Sequence, residues 1–276
     1  MKKSLFVKSA LTLAGLACVA TSAMAQTPAP AEPESTLAYN VGVVSEYRYR
    51  GISQSRFKPA VQGGVDYTDK SGIYVGAWAS QIKWISDNSQ TGPTGIKVKG
   101  DIELDLYGGY KFAVGDVAMD VGFLRYEYVN NTLAKRVGAF KNANTNEVYV
   151  AATFGVFTAK YSYALSDLFG QYNPVNNKGS KGSDYIDLNA TFDLGNGFTL
   201  VPQVGRQTVK NVVDASYTHA SLSLNKDMGN GLVLTATLHE TDAKSSGGYT
   251  VGDSGGSQAG KNTGKSTVVL GAKYTF

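Results

Sequence analysis

From Leu37 to Phe276 the sequence falls into twelve segments of alternating polarity, near 37–50, 59–68, 73–84, 99–113, 117–128, 146–157, 158–166, 184–194, 198–209, 215–226, 232–241 and 265–276. A period of two is that of a strand, whose side chains point to opposite faces in turn. In the fourth segment Ile102, Leu104, Leu106, Gly108, Tyr110 and Phe112 share one face, while Asp101, Glu103, Asp105, Tyr107, Gly109 and Lys111 share the other. The connections constrain the fold further. They alternate strictly between long polar loops (51–58, 85–98, 129–145, 167–183, 210–214, 242–264) and turns of a few residues (69–72, 114–116, 157–158, 195–197, 227–231). All long loops then emerge on one side and all tight turns on the other. An even number of strands leaves both chain ends on the turn side.

A soluble β-sandwich would alternate in the same way within each strand, but long loops on one side and short turns on the other is the pattern of a transmembrane barrel. The segments are also about as long as a tilted strand must be to cross the hydrocarbon. The expected fold is therefore all-β, an antiparallel barrel of about 12 strands over residues 37–276. Two turns repeat in sequence, Asp193-Leu194-Gly195-Asn196-Gly197-Phe198 and Asp227-Met228-Gly229-Asn230-Gly231-Leu232. In each, Asn-Gly supplies the positive φ of a tight hairpin. Aromatic residues fall in two bands, Tyr47, Tyr49, Tyr126, Tyr128, Tyr161 and Tyr163 near the loop ends and Tyr67, Tyr110, Phe112, Tyr274 and Phe276 near the turn ends. Rings with a polar tip favour the headgroup level, so these bands read as interfacial girdles.

The N-terminus has the layout of a secretory signal. Lys2, Lys3 and Lys8 precede or flank an apolar run to Ala20, and Ala23-Met24-Ala25 is a small-x-small cleavage pattern. The run is shorter than a membrane-spanning helix. Residues 1–25 are expected to be removed, leaving 26–36, rich in Pro and Ala, as a periplasmic lead-in. Gly15-Leu16-Ala17 before Cys18 is a poor lipidation site. Cleavage takes away the only cysteine, and with it any disulfide, thiolate nucleophile or Cys-based zinc site. It also leaves 23 basic against 22 acidic residues. Near neutrality gives no electrostatic ground for nucleic-acid binding.

The terminal Gly271-Ala272-Lys273-Tyr274-Thr275-Phe276 alternates aromatic and polar residues and stops on Phe. It resembles the C-terminal assembly signal of bacterial outer-membrane barrels, with Gly271, Tyr274 and Phe276 as its marks. Residues Asn40-Val41-Gly42-Val43-Val44-Ser45-Glu46-Tyr47-Arg48-Tyr49-Arg50-Gly51-Ile52-Ser53-Gln54-Ser55 and Lys58-Pro59-Ala60-Val61-Gln62-Gly63-Gly64-Val65-Asp66-Tyr67 extend the likeness. Over 39–84 and the last strand the chain resembles the TorF family of proteobacterial proteins assigned as porins. That resemblance implies a barrel in the outer membrane of a Gram-negative bacterium, with a pore. It brings no catalytic residue, cofactor or established substrate. The expected partners are outer-membrane lipid, the barrel-assembly machinery and small hydrophilic solutes.

Glu46, Arg48 and Arg50 fall on the polar face of the first segment, with Tyr47 and Tyr49 on its apolar face. Together with Asp101, Glu103, Asp105 and Lys111 they are the candidate pore-lining residues, as a constriction or as an ion-pair ladder that fixes register. The same parity gives nine lumen acids (Glu46, Asp66, Asp101, Glu103, Asp105, Asp120, Glu147, Asp187, Asp193) against five bases (Arg48, Arg50, Lys111, Lys160, Lys273), an acidic lean. Arg125 and Glu127 fall with Met119, Val121 and Phe123, which requires a bulge or a position above the membrane.

Two patterns resemble enzyme motifs. Gly252-Asp253-Ser254-Gly255-Gly256 resembles the serine motif of trypsin-like proteases, but it lies in a Gly/Ser-rich loop and the His segment of that family is missing. His219-Ala220-Ser221 resembles the His-x-Ser pair of outer-membrane phospholipase A, which makes a lipid hydrolase using His219 and Ser221 one alternative to a pore. Leu222 and Leu224 set that pair on the face away from lipid, however, and no Ser-Asn-Gly continuation follows. His239 lacks carboxylate spacing for a metal. A non-conducting structural or adhesion barrel is the other alternative.

Overall fold

The computed structural model describes residues 35–90, 95–135 and 140–276. The signal segment and residues 26–34 of the lead-in lie outside these. Twelve wall strands follow in chain order: β1 Ser35–Val44, β2 Ala60–Asp69, β3 Ile73–Gln81, β4 Ile102–Val114, β5 Val117–Tyr128 and β6 Thr145–Phe154. The second half comprises β7 Phe157–Ala164, β8 Asp184–Ala190 continued as Phe192–Gly195, β9 Phe198–Thr208, β10 Tyr217–Asp227, β11 Leu232–Thr241 and β12 Thr267–Thr275. Each strand pairs antiparallel with its neighbours in sequence, and β12 pairs with β1 to close the ring. Closure satisfies every ladder without an edge, the condition for strands in lipid.

The tight turns follow local chemistry. Asn196-Gly197 joins β8 to β9 with both residues at positive φ, 52° and 76°, the two-residue turn whose twist suits a hairpin. Gly155-Val156 joins β6 to β7, since Phe154 pairs with Phe157. That turn lies two residues before the 157–158 expected, because Gly155 at φ 58° takes the left-handed position and Phe157 is already in the strand.

The outer face is apolar all the way round. Leu37, Val41, Val75, Leu106, Leu188 and Leu270 are each at least 43% exposed, and every wall strand contributes to this belt. A continuous apolar surface of that extent needs lipid rather than water. On the last strand Val268, Leu270, Tyr274 and Phe276 point outward, whereas Val269 is buried inside. Tyr67, Tyr110, Tyr274 and Phe276 form the exposed turn-end girdle. The loop-end girdle is smaller than the sequence implies. Tyr161 and Tyr163 face out, but Tyr47, Tyr126 and Tyr128 are at most 2% exposed and face in. Tyr126 and Tyr128 share parity with the interior Asp120, and the β4–β5 ladder runs from Glu103↔Tyr128 to Val114↔Val117 without a bulge. Arg125 and Glu127 therefore lie on the outer face at the loop end, hydrogen-bonded to each other and half exposed.

The long loops fold over and into the mouth. Ile82, Ile85, Val98 and Leu133 from the loops pack with Tyr47, Tyr126 and Tyr128 into an apolar core at that end. The turn end has no comparable cluster among the described residues.

The β1–β12 seam is short, Asn40↔Thr275 to Val44↔Gly271. Phe276 extends it, exchanging backbone hydrogen bonds of 2.9 Å with Tyr39 in both directions and stacking on the Tyr39 ring at 5.8 Å. Two hydrogen bonds at ~1 kcal/mol each and one ring pair at ~1 kcal/mol make this end worth about 3 kcal/mol. Deleting Phe276 is expected to lower the yield of folded barrel. The check is the fraction with heat-modifiable gel mobility; wild-type yield and folding rate would refute this role.

Candidate functional site

The lumen is built from alternate residues of all twelve strands, and its centre is a segment that is not part of the wall. β1 stops at Val44 because Ser45 turns onto β12, its N–H donating to the Leu270 carbonyl (2.8 Å) and its Oγ accepting from the Leu270 N–H (2.9 Å). The chain then turns inward as a small hairpin, Arg48–Tyr49 against Ile52–Ser53. Arg50 and Gly51 form its tip with φ of 48° and 80°. Glu46, Arg48 and Arg50 thus lie inside the barrel but not on the first strand, and Tyr47 and Tyr49 point inward too. The period of two simply does not continue past Ser45. A side chain at Gly51 would collide with His219 and Thr241, so the tip abuts the β10–β11 wall.

Arg50 is a strut. Its guanidinium donates to both oxygens of Glu147 on β6 (3.1 and 2.7 Å) and to Gln207 Oε1 on β9 (2.6 Å). It also lies over the rings of Tyr185 (4.1 Å) and Tyr49 (4.9 Å). Since β6 lies roughly opposite β1 in the ring, this one side chain ties the inward segment to the far wall. A left-handed φ at a non-glycine residue costs of order 1–3 kcal/mol, and the forked, buried ion pair holds it there. Tyr47 donates to Glu103 (2.7 Å) and Tyr126 to Glu147 (3.1 Å), while Tyr49 and Tyr126 hydroxyls touch. Arg48 pairs with Glu46 (3.1 Å) and donates to the Gly51 carbonyl (2.9 Å), stiffening the hairpin from within.

Five other charges of the lumen are held by tyrosines. Asp66 accepts from Tyr107 (2.5 Å), Asp120 from Tyr74 (2.8 Å) and Asp187 from Tyr185 (2.9 Å). Lys111 lies over the Tyr74 ring (4.7 Å) and Lys160 over the Tyr149 ring (3.9 Å). Glycine on a neighbouring strand makes room for each ring: a Cβ at Gly76 would strike Tyr107, at Gly109 Tyr74, at Gly122 Tyr149 and at Gly205 Tyr185. Glu103 and Asp105 are buried on the lumen face of β4, and Asp105 Oδ1 has no hydrogen-bond partner.

Two expected lumen acids lie elsewhere. Asp101 precedes β4 at the outer rim, its side chain 53% exposed and bound to Lys83 (3.0 Å) and Ser86 (2.6 Å). Asp193 is exposed at the turn end, where its Oδ1 accepts from the Gly195 N–H (2.8 Å). Seven acids against five bases remain, so the acidic lean is smaller than parity gives. Sequence reading also missed the partnership of Arg50 with Glu147 and Gln207, which no spacing in the chain announces.

His219 and Ser221 both face the lumen, and each is bonded to a side chain of another strand. Tyr185 contacts His219 Nε2 (2.7 Å), and the Ser221 hydroxyl donates to Gln203 Oε1 (2.8 Å). The side chains of Asp253 and Ser254 lie outside what the structure describes. Among the described residues no group of three or more His, Cys, Asp or Glu is placed to hold a metal ion.

A closed ring of twelve strands, apolar outside and charged within, is a transmembrane β-barrel. The chain belongs to the Gcw_chp family, described as bacterial protein of unknown function, whose profile matches residues 28–276. No curated protein sequence matches the chain. Solved structures similar to it include the KdgM porin in complex with disordered oligogalacturonate, at 7% identity over 88% of this chain and 99% of that one, TM-score 0.48. Others are an outer membrane channel from Pseudomonas putida F1 (10%, 92% and 99%, 0.47) and the outer membrane protein Omp33 of Acinetobacter baumannii (9%, 89% and 100%, 0.44).

Breaking a buried ion pair from one side leaves an uncompensated charge and costs about 3–5 kcal/mol, whereas replacing both partners costs far less. Arg50→Ala should therefore lower the urea midpoint of the folded barrel strongly, and Arg50→Met with Glu147→Gln should recover most of the loss. Additive effects of the two substitutions would show that the strut contributes no coupling.

Proposed function

We propose that the protein is a channel of the Gram-negative outer membrane for passive passage of small hydrophilic solutes or ions, with the 45–59 segment as its constriction. The observation that carries this reading is the partial exposure of charged and polar side chains inside the ring. Around the strut the polar side chains are buried, but from mid-wall to the turn end Asp66, Lys111, Gln203, Ser223 and Lys273 are partly exposed, beside the buried Asp120 and Asn225. A polar, charged bore wet from one end is what a diffusion channel requires, and a twelve-stranded ring is intermediate between filled small barrels and open porins. The resemblance to TorF porins over 39–84 supports the same reading, as do the secretory signal and a terminal strand suited to the barrel-assembly machinery. Glu46, Arg48, Arg50, Glu103 and Asp105 act as the lining of the narrow zone and Lys111 as lining of the bore toward the turn end, without cofactor or catalytic step.

The lumen charge makes the channel mildly cation-preferring, because seven acids face five bases in the bore and a net negative lumen concentrates counter-ions. In planar bilayers the wild-type protein should conduct weakly, and Arg50→Ala should raise single-channel conductance by freeing the inward hairpin. Reversal potentials in a salt gradient should move toward anions in Glu103→Gln with Asp105→Asn. One observation favours a non-conducting structural barrel, the packed core that the loops form across the mouth. Silence from both wild type and Arg50→Ala would decide for it.

A further inference from the structure

At the mouth, directly above the strut, the loops enclose a crevice of about 680 Å³, counting the part that opens to solvent. Its floor includes Tyr49, Gln207 and Tyr217, and its sides carry aromatic rings from separate loops, among them Trp84, Tyr128, Phe169 and Tyr249. Three other features single it out. Trp84, Gln171 and Thr263 all line this crevice, and each has a side-chain atom without a hydrogen-bond partner: Trp84 Nε1, Gln171 Oε1 and Thr263 Oγ1. The Tyr249 hydroxyl gives its proton to the Ala215 carbonyl (2.5 Å), so Gln171 Oε1 keeps its lone pairs. Buried polar atoms are almost always paired, and orphans gathered about one space call for a ligand. The loops cover these atoms almost completely, so a molecule taken in between the loops pairs them as the loops adjust round it.

The chemistry of the set narrows the ligand. Trp84 Nε1 only donates, Gln171 Oε1 only accepts and Thr263 Oγ1 does both. A carboxylate or phosphate would be repelled by the Gln171 oxygen, and an ammonium group would leave the Trp84 N–H unmet. Hydroxyl groups, which donate and accept, suit all three. Arg56 is balanced by Asp87 at 3.5 Å, so the crevice carries no net charge to draw an ion. Aromatic walls accept the apolar C–H face of a ring that bears such hydroxyls at its rim.

We propose that this crevice is a binding site for a neutral polyhydroxylated ring, a sugar or cyclic polyol, held at the entrance above Arg50. It deepens the channel reading by naming the solute class that the mouth captures. The test uses the full-length barrel folded in detergent, with Trp78→Phe so that Trp84 alone reports by fluorescence. Titration with neutral mono- and disaccharides should give a saturable change, weakened at least tenfold by Gln171→Ala and by Thr263→Val in barrels that keep their heat-modifiable mobility. Glucuronate and glucosamine should bind at least tenfold more weakly. No saturable signal, tighter binding of a charged analogue, or binding untouched by both substitutions would overturn the site. Parallel bilayer recordings separate the two readings: binding without conductance removes the channel and leaves the site, while conductance without binding removes the site alone.

Discussion

The backbone of a membrane-spanning strand has no water to bond to, and everything else in this molecule depends on meeting that demand by closing the ring. Eleven of the twelve junctions are between consecutive strands, and most are long ladders such as the ten pairs of β1 with β2. The twelfth joins the two ends of the chain through five pairs, with Phe276 added beyond them. The outer belt of aliphatic side chains then follows from the parity of each strand, and so does the enclosed polar bore.

Closure also creates the problem that the interior solves. Seven carboxylates and five cations share one narrow space, where a lone charge is expensive. Three devices meet this: the forked Arg50–Glu147 pair, tyrosine hydroxyls aimed at Asp66, Asp120 and Asp187, and aromatic faces beneath Lys111 and Lys160. The rings can lie so close to the wall only because Gly76, Gly109, Gly122 and Gly205 have no side chain in the way. Bore width is thus written partly in glycines.

The sequence made the wall legible and the interior only partly so. Period-two alternation and the Asn-Gly turns are local signals, and they located all twelve strands and the outward set Val268, Leu270, Tyr274 and Phe276. Alternation says nothing about where a strand leaves the sheet, and it carried the first segment six residues too far, through Glu46, Arg48 and Arg50. What ends β1 is a single serine bonded to Leu270, a contact 225 residues distant in the chain. Asp101 and Asp193 were misplaced because parity gives a face and not a height along the barrel. The loop crevice left no pattern at all, since Arg56, Trp84, Gln171 and Thr263 meet only after folding.

The strut has a bearing on the order of events during assembly. Arg50 is made early, yet Glu147 lies 97 residues and Gln207 157 residues further along the chain. The Glu147 contact needs the sixth strand in place and the Gln207 contact the ninth, and by then the inward hairpin must already be on the inner side of the growing sheet. Once β12 zips onto β1, a hairpin left outside has no way in. The left-handed turn at Arg50-Gly51, which bends the chain inward with only local information, therefore acts as a fold-early instruction for a contact that is made late. The hydrogen bond to Gln207 works as a latch that engages only on a nearly completed barrel.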